Sequence, residues 1–117
     1  MLGQKNPVVV PVVEKLFTEE QQYNRAERRS LYRHFFSRPV AVRLDDKREI
    51  VCFSRNLSFE GIGLISHIEF EPNAAAKIEI HSNYIDNPIM TSQMAWCRSF
   101  GDGWFMSGWQ FLALASD

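Results

Sequence analysis

The most restrictive feature of the chain is a run of five residues. Lys77-Ile78-Glu79-Ile80-His81 alternates polar and apolar positions without exception, the period-two pattern of a strand with one face buried and one in water. Related runs recur at short intervals. Val40, Val42 and Leu44 alternate with Ala41 and Arg43, and Ile50 to Phe53 is apolar on both faces. Ile62 and Leu64 follow Gly61, Ile89 to Ser99 forms a longer stretch, and Trp104 to Leu112 is the last. Asp45-Asp46-Lys47, Asn87-Pro88 and Gly101-Asp102-Gly103 separate these runs. Gly and Asp tolerate the positive φ of a tight hairpin, so the last of the three predicts an antiparallel return. Six short strands joined by turns, without strand–helix alternation, predict a mainly β chain folded as a small antiparallel barrel or sandwich.

Ahead of the strands, residues 1–10 read as a tail. Pro11 to Tyr23 predicts a short helix: Pro suits the first helical turn, and Val12, Val13, Leu16 and Phe17 share one face. Such a helix needs a surface to pack on. It would either cover one end of the β body or mediate a homo-oligomer, and the sequence leaves both open. The 117 residues fit one domain with an arm. The boundaries expected are an N-terminal tail and helix over 1–24 and a β domain over 25–117.

Charge narrows the function. The net charge is −1, but residues 25–55 hold eight Arg and one Lys against Glu27, Asp45, Asp46 and Glu49, a local +5 that leaves −6 elsewhere. A basic block in a near-neutral chain points to one anionic partner at one place. Outside the block only Lys5, Lys15, Lys77 and Arg98 remain, too few for the groove of a nucleic-acid polymer. Enzyme signatures are absent: there is no phosphate-binding G-x-x-x-x-G-K-[ST], no G-x-G-x-x-G and no G-x-S-x-G. His34, His67 and His81 are scattered without metal-ligand spacing. Cys52 and Cys97 would meet only if their strands were neighbours, and two thiols alone make no zinc site. No apolar run is long enough to span a membrane, and the N-terminus lacks the marks of a secretory signal. A cytoplasmic, non-enzymatic binding protein is expected.

Two segments carry the specific information. Arg28-Arg29-Ser30-Leu31-Tyr32-Arg33 reads R-R-x-x-x-R just before the first strand. Asn56-Leu57-Ser58-Phe59-Glu60-Gly61 reads N-x-S-x-x-G between the second and third. In this order and spacing they resemble the two signatures of the PilZ domain family, bacterial receptors for cyclic di-GMP, R-x-x-x-R and [D/N]-x-S-x-x-G. The resemblance covers Arg28 to Leu112. It implies a six-stranded antiparallel PilZ-type barrel. It also implies cyclic di-GMP as ligand, with no further cofactor, and a protein partner in motility, adhesion or polysaccharide machinery. By the resemblance, Arg28, Arg29 and Arg33 wrap the phosphates and one base, Asn56, Ser58 and Gly61 hold a guanine, and Trp96 floors the pocket. Read from the residues alone, Trp96 belongs to the core rather than to a ligand contact. The usual C-terminal helix of the family has no counterpart before Asp117.

The chemistry suits these residue types. A guanidinium fork bonds phosphate oxygens or the guanine O6/N7 edge bidentately, and stacks on purines. Asn and Ser bond a base edge or hold a local turn, and Gly admits a close approach. Three or four charge-assisted hydrogen bonds at about 1.5–3 kcal/mol each reach the roughly 8 kcal/mol of micromolar binding. Ordering the arm offsets part of this. A ligand-blind adaptor working through protein contacts is the alternative, though such members typically lack the arginine motif. A small barrel binding RNA or single-stranded DNA is a third reading.

Overall fold

A computed structural model describes residues 7–23, 37–82 and 86–115 of the chain. The order is one helix, α1 (Val9–Tyr23), then six strands: β1 (Pro39–Leu44), β2 (Glu49–Leu57), β3 (Gly61–Ser66), β4 (Ala75–Ile80), β5 (Ile89–Gly101) and β6 (Trp104–Leu114). The strands close into a barrel in the order β1-β2-β3-β6-β5-β4, and every neighbouring pair is antiparallel. The barrel of the two architectures expected is therefore the one observed.

Alternation delivers the core. Val40 and Val42, Cys52, Ile62 and Leu64, Ala76, Ile78 and Ile80, Met90 and Met94, and Trp109 and Phe111 are all buried. Each fully buried aliphatic side chain contributes about 1.5–3 kcal/mol. Four of the buried serines, Ser54, Ser66, Ser92 and Ser107, lie on strands, each with a hydrogen-bond partner. Ser66 donates to the Ile68 carbonyl at 2.8 Å, Ser92 donates to the Met90 carbonyl at 3.1 Å, and Ser107 accepts from Trp109 Nε1 at 2.8 Å. Ser54 accepts from the backbone N–H of Arg38 at 2.8 Å, which fixes the chain where it enters β1.

Helix α1 packs on the barrel. Val9, Val13 and Leu16, one stripe at i, i+4 and i+7, are fully buried and join the barrel's core, with Val12 and Phe17 packed beside them. The Phe17 ring meets Phe59 edge to face at a centroid distance of 5.5 Å. The helix thus covers the barrel end carrying the β2–β3 turn. It begins two residues before Pro11, which still lies in its first turn, where a proline removes no helical hydrogen bond.

β4 starts at Ala75, two residues ahead of its alternating run, and three strands outrun their sequence patterns at the C-terminal end. β2 continues past Phe53 to Leu57, β5 past Ser99 to Gly101, and β6 past Leu112 to Leu114. On β2, Val51 and Phe53 face solvent while Cys52 is buried, so one face of that apolar run is outward. Trp104 and Trp109 occupy opposite faces, as their spacing predicts: Trp109 is core, and Trp104 lies on His67 at 3.7 Å between centroids. The hairpin at Gly101-Asp102-Gly103 has all three residues at positive φ (110°, 56° and 78°). Cys52 and Cys97 lie on strands that are not neighbours and both are free, so no cross-strand pair forms.

Candidate functional site

The N-x-S-x-x-G segment divides between three structural units. Asn56 and Leu57 end β2, Ser58 to Glu60 make the turn, and Gly61 opens β3. The sequence places the segment wholly between strands. It differs because β2 carries a bulge: Ser54 pairs with Leu64 and Asn56 with Gly63, leaving Arg55 as the extra residue. A bulge resets the inside–outside alternation. Cys52 and Ser54 point inward, Asn56 is exposed, and Leu57 returns to the core.

A second bulge does the same for the tryptophan. On β5, Met94 pairs with Trp109 and Trp96 with Gly108, so Ala95 is extra. Strict alternation from Met90, Ser92 and Met94 would bury Trp96. The bulge turns it outward, at 39% exposure. The two displaced side chains lie in one row across four strands, since Asn56 pairs with Gly63, Gly63 with Gly108, and Gly108 with Trp96. The glycines between them leave room for both. A Cβ on Gly63 would collide with the Asn56 carboxamide, and a Cβ on Gly108 with the Trp96 indole.

The result is an open groove of about 250 Å³ on the outer barrel wall, lined by Asn56, Ser58, Gly61 and Trp96 and floored by Gly63 and Gly108. Glu60 and Gln110 complete its polar rim. At that size it is below the roughly 300–1,000 Å³ of sites that enclose a small molecule. It offers a berth for part of a larger ligand.

Ser58 holds the turn. Its hydroxyl accepts the backbone N–H of Glu60 at 3.2 Å and of Gly61 at 3.1 Å, and its own N–H reaches the Gly61 carbonyl at 2.9 Å. Gly61 is needed by the barrel itself, because a Cβ there would run into the backbone carbonyl of Trp109. Arg28, Arg29 and Arg33 lie outside the described residues. Sequence reasoning missed Gly63, Gly108, Glu60 and Gln110. An isolated glycine inside a strand signals a close approach, and that signal was present at both Gly63 and Gly108.

A concavity of about 340 Å³ at the other barrel end is lined by Asp45, Asp46 and Glu71 beside Arg48. Its acidic wall disfavours an anion, which sets it apart from the glycine-floored groove. Among the described residues, no helix is long and apolar enough to cross a membrane. In comparison with known proteins, the family model of the PilZ domain matches residues 24–117, a span that contains the arginine segment, all six strands and the groove. No curated protein matches the chain significantly.

Proposed function

Since the chain belongs to the PilZ domain family, whose members are non-catalytic receptor domains that generally bind cyclic di-GMP, we propose that it is a cyclic di-GMP receptor. The groove takes one guanine and the arginine segment wraps the phosphates. The observation that supports this most is convergence. Asn56, Ser58 and Gly61, drawn from one motif, and Trp96, distant in sequence, line the same groove.

The division of labour follows from chemistry. Asn56 presents a neutral carboxamide to a base edge without adding negative charge beside an anionic ligand. Trp96 presents an indole at the opposite wall, suited to stacking. Ser58 keeps the turn in shape, and the glycine floor lets a flat ring approach the backbone. Arg28, Arg29 and Arg33 supply the planar forks that phosphate and guanine accept bidentately. Ligand binding orders the arm against the barrel and changes the surface offered to a cytoplasmic protein partner.

Isothermal titration of the full chain with cyclic di-GMP tests the reading. Wild type is expected to bind at micromolar affinity or tighter. Arg29→Ala/Arg33→Ala is expected to weaken binding at least about 100-fold, the loss of two charge-assisted contacts, with an unchanged circular dichroism spectrum. A folded wild type that gives no binding overturns the receptor reading in favour of a ligand-blind adaptor.

A further inference from the structure

The arginines among the described residues divide by what satisfies them. Arg38 is buried, and its Nη1 donates to the His81 carbonyl at 3.1 Å. Arg43 is held by Glu49 and Glu79, and Arg48 by Asp46 at 2.8 Å. Arg55 and Arg98 have soft partners instead. Arg55 Nη1 donates to the sulfur of Met106 at 3.1 Å, a weak acceptor, and the Arg98 guanidinium lies 5.0 Å from the centroid of the Trp96 ring. Both are exposed, and among the described residues neither has an ion pair.

Their placement is the second observation. Arg55 is the extra residue of the β2 bulge, next to Asn56. Arg98 is two residues beyond Trp96 on the same outer face of β5, and pairs in register with Met106. Met106 precedes Gly108 on β6 by two residues. Arg55 thus reaches Met106 from the β2 side, and Arg98 flanks Met106 on the β5 side with its guanidinium over the Trp96 ring, at the edge of the glycine floor facing away from Ser58 and Gly61. An anion lying between Asn56 and Trp96 would sit beside the residues that carry both, Arg55 adjoining Asn56 on β2 and Arg98 two residues beyond Trp96 on β5. A charged guanidinium exchanges a thioether or a ring face for a phosphate oxygen with a gain, because only the last is a charged bidentate acceptor.

We propose that Arg55 and Arg98 form a second phosphate clamp, fixed to the barrel and separate from the arginines of the 28–33 segment. They contact a ligand phosphate directly, and Arg98 leaves the Trp96 face to do so. Neither residue belongs to the two signature motifs. The proposal rests on the receptor reading above, and the experiment separates the two.

Cyclic di-GMP is titrated into the full chain at several salt concentrations. The proteins are wild type, Arg55→Gln, Arg98→Gln, the double variant, Arg98→Lys, and Arg48→Gln as a control for one surface charge. The clamp predicts about tenfold weaker binding for each single Gln variant. It also predicts a shallower salt dependence for the double variant, partial recovery in Arg98→Lys, and no change in Arg48→Gln. A merely structural role would leave the salt slope intact. If wild type binds and the double variant matches it in affinity and salt slope, the clamp is overturned and the receptor reading stands. If folded wild type does not bind at all, both fall together.

Discussion

Gly61, Gly63 and Gly108 look alike in the sequence, yet each answers to a different neighbour. At Gly63 and Gly108 the obstacle to a side chain is another side chain, the Asn56 carboxamide or the Trp96 indole, which can swing away. At Gly61 it is the Trp109 carbonyl, fixed in the β3–β6 ladder. Gly63→Ala and Gly108→Ala are therefore expected to keep the fold while filling the groove, with ligand affinity reduced at least about tenfold in titration. Gly61→Ala is expected to cost stability, about 1–3 kcal/mol for overpacking, and to lower Tm by about 4–8 °C per kcal/mol. The cysteines also separate at this scale. Burial pushes the Cys52 thiol up to about 12, and Cys52 is fully enclosed while Cys97 is partly exposed. A thiol reagent at mildly alkaline pH is expected to modify Cys97 in the native protein and Cys52 only on unfolding. Mass spectrometry of the labelled peptides checks this, and equal labelling rates would contradict the packing.

At the scale of elements, α1 joins the N-terminal segment to the turn of the candidate site. Its buried stripe makes Leu16→Ala costly, at about 2–5 kcal/mol, measurable by urea unfolding. The Phe17–Phe59 contact is expected to give a coupling of about 0.5–1.5 kcal/mol in a double-mutant cycle. Phe59 lies between Ser58 and Gly61, so this contact ties the helix to the turn lining the groove. The elements were legible in the sequence where local pattern and tertiary role agree: the alternation of Lys77 to His81, Val13 and Leu16 of the α1 stripe, the Gly101-Asp102-Gly103 hairpin. They were not legible where a bulge intervenes. One extra residue at Arg55 and one at Ala95 decide that Asn56 and Trp96 face outward, and bulges arise from pairing between strands, which no single run of residues encodes. The same pairing carried β2, β5 and β6 beyond their apparent ends. The motif identified part of the groove wall, but its floor depends on Gly63 and Gly108 falling opposite each other, a matter of register alone.

For the whole molecule, the outer wall has its own electrostatic brace. Arg43 on β1 bridges Glu49 on β2 and Glu79 on β4, and Asn87 donates to Glu79 at 2.9 Å. The Asn87 and Arg43 hydrogen bonds hold the Glu79 carboxyl below its ordinary range. A carboxyl depressed in the folded state stabilises fully above its unfolded value, about 4.3, and loses that contribution as pH falls through the lower folded value. Thermal unfolding followed from neutral to acid pH is expected to show a smaller acid-side drop in Tm for Glu79→Gln than for wild type. An identical drop would remove Glu79 from the account. The barrel also closes on itself, with β1 paired to both β2 and β4 and no strand of the six left with an open flank. Partners that recruit a protein by extending its sheet need such a flank, and this wall has none to give. A protein partner of this domain would have to engage it by side-chain complementarity, with specificity written in surface chemistry rather than in backbone zippering.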